Sequence, residues 1–334
     1  MKTYFVVFLI ALSCTIVSCG TSPSKTKTKI GLLMDNLDNQ RWKRDRDLFK
    51  LRIEEQGGEV LVEVAGGNEK KQYDQAKSLI EKGVQVLVVI PVNMEKAAAI
   101  VELAHNSNVK VITYDRLINN CDVDYYVSFD NVQVGELQAE YITTLKPKGN
   151  YILIGGSKHD NNSMLVHLGQ LTILQPMVDN GDIKILYDKY METWSQEAGY
   201  NAMKECMANY PNQIDAVLAA NDDLAQGIIK ALTEQNLQGK VLVTGQDADL
   251  FAIKSIKNGL QTMTVYKSIN ELTKVAASFA MTLAKDEIPE GITISVNNGK
   301  KLVPSFLLNS QIVQKATIES TVIKDGYWTE EDLK

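Results

Sequence analysis

The sequence predicts an α/β protein built from two doubly wound domains, each with a parallel β-sheet. Short apolar runs alternate with longer amphipathic segments from residue 29 onwards. A strand that is apolar along its whole length indicates a sheet covered on both faces, as in parallel α/β sheets. The alternation runs twice along a chain of 334 residues, and single cores stop growing at about 250–300 residues. Two domains in tandem are therefore expected.

The predicted elements follow the apolar runs. The strands of the first domain are predicted at 30–34, 60–64, 86–90, 109–114 and 125–129, with helices between the first four. Those of the second domain are predicted at 151–154, 183–187, 216–220, 241–244 and 262–266. A helix near 271–284 and two strand-like runs at 292–296 and 305–308 complete the chain.

Composition and charge exclude several functions. The chain has 35 basic and 41 acidic side chains, a formal charge of −6 and a pI near 5.3. Nucleic-acid affinity depends on clustered Lys and Arg, so no nucleic-acid partner is expected. The 3 histidines lack ligand spacing to any Cys, which predicts no metal site. Cys121 and Cys206 belong to different predicted domains and are expected to be unpaired.

The first 19 residues have the charge, length and order of an export signal, with Lys2 before an apolar run at 4–12. That run is too short to span a bilayer comfortably. The letters IVSCG at 16–20 resemble a bacterial lipobox, whose Cys is acylated. We expect residues 1–18 to be removed, Cys19 to carry lipid and 19–28 to form a tether, placing the protein in the periplasm or on the outer face of the cytoplasmic membrane. The alternative is an ordinary signal peptide that is cleaved nearby, with Cys19 not acylated.

Polar and aromatic side chains follow many of the predicted strands. Ligands of open α/β sheets bind beyond the carboxyl ends of the strands. Amides, carboxylates, Arg and Lys satisfy hydroxyls that both donate and accept, and indoles pack on C–H faces. A single Asp or Asn at the end of a strand is more often a helix cap. Many polar and aromatic side chains at equivalent strand ends, however, predict a neutral polyol as ligand. Trp328 and residues 44–47 are interpreted as packing and as a solvated helix face.

Motifs for an enzyme are missing from the sequence. The loop after the first strand reads MDNLDN at 34–39 and lacks the Gly-x-Gly-x-x-Gly turn of dinucleotide sites. There is also no phosphate loop and no Gly-x-Ser-x-Gly elbow. The sequence therefore predicts no cofactor and no catalytic activity, with an enzyme of sugar metabolism as the weaker alternative.

Several segments together resemble the periplasmic sugar-binding proteins of ABC transporters, of the ribose and galactose type. They include GNEKKQYDQAKSLIEKGVQVLVVIPVN at 67–93, VKVITYDRLIN at 109–119, RWKRDRD at 41–47 and GQDAD at 245–249. The resemblance covers nearly everything after Lys29. It implies two lobes, 29–129 with 267–305 and 130–266 with 306–334, joined by a three-stranded hinge. The implied activity is that of a monomer that closes on one pentose, D-xylose or a related monosaccharide, and delivers it to a permease.

The same resemblance implies which residues contact the sugar. Lys158 and His159, and the letters DLAQ at 223–226, depart from the family pattern and leave the exact sugar open. A sensor role, in which a membrane kinase or chemoreceptor replaces the permease, is an open alternative. Carried over position by position, the implied sugar contacts are Arg41, Trp42, Asp115, Arg116, Asp160, Asn162, Trp194, Asn221, Asp247 and Lys267.

Overall fold

The computed structural model describes residues 27–292 and 294–334. The expected signal peptide at 1–18 and the expected lipid site at Cys19 lie outside these residues. Within the described part of the chain, no helix combines the length and apolarity needed to cross a bilayer. The strands are β1 (Lys29–Met34), β2 (Glu59–Val64), β3 (Val86–Val89), β4 (Lys110–Tyr114), β5 (Tyr125–Phe129), β6 (Gly149–Ser157), β7 (Ile183–Met191), β8 (Ala216–Ala219), β9 (Leu242–Val243), β10 (Thr264–Tyr266), β11 (Ile294–Asn297), β12 (Leu302–Leu308) and β13 (Gln311–Val313). The α-helices are α1 (Gln40–Glu55), α2 (Glu69–Glu81), α3 (Ala98–His105), α4 (Asn131–Leu145), α5 (Asn161–Asp179), α6 (Gln196–Asn209), α7 (Asp222–Glu234), α8 (Leu250–Lys257) and α9 (Ile269–Leu283).

The first lobe is a seven-stranded sheet in the order β2-β1-β3-β4-β5-β12-β11. All its pairings are parallel except that of the edge strand β11. Helices α1 and α9 pack on one face, and α2 and α3 pack on the other. The four residues of β3 are all buried, because this central strand is covered on both sides. The prediction of doubly covered parallel strands is confirmed.

The second lobe repeats the arrangement, with a parallel sheet in the order β7-β6-β8-β9. Strand β10 continues beside β9, since Thr262 N donates to Val243 O at 2.9 Å and Val265 N donates to Gly245 O at 3.0 Å. Strand β13, which the sequence did not predict, pairs antiparallel with β10. Helices α4 and α5 bury apolar side chains against one face of this sheet, and α6 and α7 supply the other layer.

The chain crosses between the lobes three times, as the resemblance implies. The crossings join β5 to α4, β10 to α9 and β12 to β13. A hydrogen bond joins the β5–α4 crossing to the β12–β13 crossing, because Asp130 N donates to Leu308 O at 3.0 Å. Strand β12 remains in the first sheet as far as Leu308. A three-stranded connection of this kind permits the lobes to rotate about it while each keeps its own core.

The C-terminal segment covers the hinge side of the second lobe and reaches α1. Trp328 is buried, and its Nε1 donates to Ala248 O at 2.7 Å, so the interpretation of Trp328 as packing is confirmed. The Arg44 guanidinium stacks on Tyr327 and Trp328, at 4.4 and 4.5 Å from their ring centroids. Residues 44–47 are therefore not a uniformly solvated face. Asp45 is only 2% exposed, because it lies one helical turn from a buried arginine.

The two cysteines of the body are separate. Cys121 belongs to a core of the first lobe and Cys206 to a core of the second. Within the described residues both are buried and form no disulfide, as the sequence predicts. Burial raises the pKa of both thiols, so neither is poised as a reactive thiolate.

Candidate ligand-binding cleft

A cavity of about 830 Å³ lies between the lobes, at the carboxyl ends of the strands. Both lobes and the hinge contribute to its lining. The structure brings all ten predicted sugar contacts into this cavity. The first lobe provides Arg41, Trp42, Asp115 and Arg116, the second provides Asp160, Asn162, Trp194, Asn221 and Asp247, and the crossing after β10 provides Lys267.

Arg41 lies in the first turn of α1 and bridges the lobes. The turn begins at Asn39, whose Oδ1 accepts a hydrogen bond from Arg41 N at 2.7 Å. The Arg41 guanidinium donates through Nη1 to Asp247 Oδ1 at 2.9 Å and through Nη2 to the Asp115 carboxylate. Its Nε lies 3.4 Å from Asp45 Oδ2. One buried cation is thus surrounded by three carboxylates, two from its own lobe and one from the other.

Arg116 makes the second charged bridge across the cleft. Its Nη1 donates to Asp35 Oδ2 at 2.7 Å, and its Nε lies 2.8 Å from Asp160 Oδ2. Trp194 Nε1 also donates to Asp160 Oδ2, at 3.1 Å. The Trp42 ring lies below both guanidinium groups, with Arg41 at 4.5 Å and Arg116 at 5.2 Å from its centroid. This network fixes the orientation of the Arg116 guanidinium and of its carboxylate partners between the lobes.

Asp115 and Asp247 occupy corresponding positions in the two lobes. Each follows the fourth strand of its lobe, and each backbone N–H donates at 2.9 Å to the next strand, to Val127 O and Val265 O. Both have positive φ angles, of 61° and 94°. Aspartate tolerates this left-handed region better than most residues, and such backbone outliers concentrate at functional sites. The conformation turns both carboxylates toward the same guanidinium.

The charge state of these carboxylates follows from their neighbours. Burial acts to raise the pKa of Asp115, but Arg41 and Lys267 outweigh burial and the pKa is lowered. The pKa of Asp247 is lowered in the same way by Lys267 and Arg41. Burial prevails at Asp160, whose pKa is raised in spite of Arg116. Asp115 and Asp247 are therefore ionised acceptors at neutral pH.

The remaining predicted residues complete the polar lining. Lys267 Nζ lies 2.8 Å from Asp247 Oδ1. Asn162 Nδ2 donates to Asp115 Oδ1 at 3.1 Å, and its Oδ1 accepts from Asn131 Nδ2 at 3.1 Å. Asn221 Oδ1 caps α7 by accepting from Leu224 N at 3.0 Å. The capping interpretation of such residues is thus correct for Asn221, which nevertheless lines the cavity.

The position of Trp194 depends on a glycine that sequence reasoning missed. A Cβ atom on Gly156 would lie 2.1–2.4 Å from three atoms of the Trp194 indole. Only glycine therefore allows the ring to lie against the end of β6. The sequence shows Gly155 and Gly156 at the end of a predicted strand, but nothing in it shows which side chain passes over them.

A further contact between the lobes was also not predicted. Asn39 Nδ2 donates to Asp223 Oδ2 and to Asp249 Oδ2, both at 2.9 Å. In the sequence, Asn39 is visible only as a possible helix cap before α1. Asp223 differs from the family pattern, but the sequence does not indicate its partner.

Two lobes, three crossings and a polar cleft shared by both lobes define a bilobal solute-binding protein. A family profile described as a periplasmic binding protein domain matches residues 30–288. The chain belongs to the periplasmic binding protein family, whose members bind a solute and do not transform it.

Individual relatives are similar over almost their full length. The chain is 45% identical to the D-xylose-binding periplasmic protein of Haemophilus influenzae over 325 residues, which cover 97% of this chain and 98% of that protein. It is 44% identical to the protein of the same description from Escherichia coli, with the same coverage. The crystal structure of a carbohydrate transporter solute binding protein from Chloroflexus aurantiacus, in complex with D-glucose, has a TM-score of 0.86 at 30% identity and covers 92% of this chain and 98% of its own. The resemblance to periplasmic sugar-binding proteins is confirmed.

Proposed function

We propose that the protein binds D-xylose between its lobes and delivers it to an ABC importer. The observation that carries this proposal is the convergence of all ten predicted contacts on one cleft, where the second lobe supplies carboxylates to both arginines of the first lobe. Similarity to D-xylose-binding proteins over 97% of the chain supports the pentose as ligand.

The chemistry of the cleft suits an uncharged sugar. Ionised Asp115 and Asp247 accept hydrogen bonds from hydroxyls, while Arg116 and Lys267 donate them. The two indoles, Trp42 and Trp194, offer flat surfaces for the C–H faces of a ring. Because each cation of the cleft is already paired with a carboxylate, the ligand needs no negative charge to balance them.

Enclosure by both lobes accounts for the affinity. A pentose has about ten non-hydrogen atoms, so micromolar binding, roughly −8 kcal/mol, requires about −0.8 kcal/mol per atom. That efficiency is within reach of a small ligand only when most of its surface is buried. The closed form is favoured because the sugar contacts both lobes at once, and a transporter can then distinguish loaded from empty protein by shape.

A calorimetric panel of D-xylose, D-ribose, L-arabinose, D-glucose and D-galactose tests the ligand. We expect micromolar or tighter binding of D-xylose and at least about tenfold weaker binding of hexoses, because side chains that fill the space of a sixth carbon would clash with the hydroxymethyl group of a hexose. In a parallel thermal melt, xylose at about 100 times its Kd should add roughly 2.7 kcal/mol of stability. Absence of binding to every pentose, or D-glucose binding as tightly as D-xylose, would contradict the assignment.

A sensory output is the second candidate. The chain is 32% identical to the multiple sugar-binding periplasmic receptor of Rhizobium radiobacter, over 92% of its length, and that description names a receptor. Co-purification from membranes with xylose present distinguishes the two outputs. Recovery of permease subunits supports import, and recovery of a kinase or chemoreceptor without permease supports sensing.

We also propose that acylated Cys19 anchors the protein to the membrane. The support is the IVSCG match and the polar stretch that follows it, since a lipid anchor needs a tether. The Cys19→Ser variant should move from the membrane fraction to the soluble fraction on cell fractionation, and a Cys14→Ser control should not. Equal soluble fractions for the wild type and Cys19→Ser would refute the anchor.

A further inference from the structure

Asn39 uses its whole side chain to connect the lobes. Its Oδ1 caps α1, the helix that carries Arg41 and Trp42, by accepting from Arg41 N at 2.7 Å. Its Nδ2 donates to Asp223 Oδ2 and Asp249 Oδ2 of the second lobe, at 2.9 Å each. An amide nitrogen has two protons, and both are used here on two different carboxylates.

We propose that Asn39 is a positioning residue that holds the closed form together and thereby sets the affinity of the cleft for its sugar. This inference rests on the proposed function, because closure matters only if a sugar binds between the lobes. Asn39 is outside the set of sugar contacts that the sequence implies. It acts through the lobe–lobe contact and through the helix start that orients Arg41.

The surroundings of the two carboxylates show why a donor is needed there. Asp247 faces both of them and repels both. Asp38 of the first lobe adds a further negative charge beside Asp223, while Gln196 donates to Asp223 Oδ1 at 3.5 Å. The positive charge of Arg41 stabilises the ionised form of Asp249. The backbone N–H of Asp249 donates to Asp222 Oδ2 at 2.9 Å. Asn39 is thus the donor from the first lobe that compensates acidic groups which lie together in the second lobe and are buried by closure.

The arrangement predicts a pH dependence with a definite sign. Burial and then repulsion by Asp247 and Asp223 raise the pKa of Asp249 to about 7, and burial also raises the pKa of Asp223. Opening the lobes hydrates both carboxyls and lets their pKa values fall toward the ordinary range. The closed form therefore binds more protons, and sugar affinity should fall as the pH rises through about 7. The Asn39 amide opposes this fall, because it stabilises the ionised carboxylates.

The test measures D-xylose affinity of Asn39→Ser and Asn39→Asp by calorimetry at pH 6, 7 and 8. Both variants retain an oxygen that can cap α1, but neither supplies the amide donor. Loss of hydrogen bonds to charged groups should weaken binding by Asn39→Ser about tenfold at pH 8 and about threefold at pH 6. Asn39→Asp adds a third carboxylate and should weaken binding about a hundredfold at pH 8.

Two controls separate this role from simple capping and from the carboxylates themselves. Asn68 caps α2 in the same lobe, with Oδ1 accepting from Lys71 N at 2.8 Å, so Asn68→Ser should leave affinity unchanged at all three pH values. Asp249→Asn removes the group that titrates near neutrality and should flatten the pH profile. In that background Asn39→Ser should cost less than in the wild type.

The affinities of these variants decide whether Asn39 holds the closed form together. A loss for Asn39→Ser that grows from pH 6 to pH 8, absent from Asn68→Ser, supports the proposal. Wild-type affinity in Asn39→Ser, or a loss independent of pH, overturns it while leaving the proposed function intact. Failure of the wild type to bind D-xylose refutes the proposed function and removes the basis of this inference as well.

Discussion

Replacing Arg41 with methionine should weaken xylose binding strongly and destabilise the first lobe. Arg41 is the shared partner of Asp115, Asp247 and, at longer range, Asp45. Removing one member of a buried ionic network leaves uncompensated charges and costs about 3–5 kcal/mol. Because Asp247 belongs to the other lobe, the closed form loses a bridge as well, and affinity should fall by at least about a hundredfold.

The measurements for Arg41→Met are urea denaturation and calorimetry, each at pH 5 and pH 8. Without the guanidinium, burial dominates at Asp115 and raises its pKa, so destabilisation should be greater at pH 8, where that carboxyl must ionise. Lys43→Met is the matched control, since Lys43 is exposed on the same helix. Affinity within about tenfold of the wild type would show that this network does not support binding.

Gly156→Ala should weaken xylose binding by about a hundredfold with little loss of stability. The added methyl would overlap the Trp194 indole, and overlap this severe can be relieved only if the ring leaves its place. Trp194 would then lose both its stacking surface and its hydrogen bond to Asp160. The half-buried indole lines the cleft and packs only against the margin of the second-lobe core, so the fold should tolerate the change.

A double-mutant cycle with Trp194→Ala isolates this effect. Trp194→Ala alone should weaken binding by at least about tenfold. In that background the Gly156→Ala methyl meets no indole, and it should cause little further loss. Additive losses from the two substitutions would mean that Gly156 affects binding independently of Trp194.

The sequence predicted the two sheets well because buried parallel strands leave a strong local signal. The run at 86–90 is continuously apolar, the run at 125–129 is interrupted only by Ser128, and the strands observed there match within one residue. Strand β13 has no such signal, since its three residues are fixed by pairing with β10. The three crossings came from the family resemblance, because periodicity does not show where a chain passes between lobes.

The site was predictable where function depends on position along a strand. Asp115, Asp247 and Lys267 follow predicted strands, whose ends meet at one edge of a sheet, and the family resemblance then identified them as sugar contacts. Asp45 was assigned to solvent because its burial depends on Arg41 and Tyr114, which reach it only in the folded chain. Gly156 and Asn39 act through partners at least 38 residues distant in sequence, such as Trp194 and Asp223.

Asp115 and Asp247 occupy matched positions in the two lobes, so the centre of the cleft has approximate twofold symmetry. The starts of helices α1 and α5 follow the same symmetry. Arg41 and Asn162 both stand two residues after a capping side chain, Asn39 and Asp160 respectively. A pentose ring has no such symmetry. Its orientation must therefore be selected where the two halves differ, and the clearest difference is a guanidinium in one half opposite a neutral amide in the other.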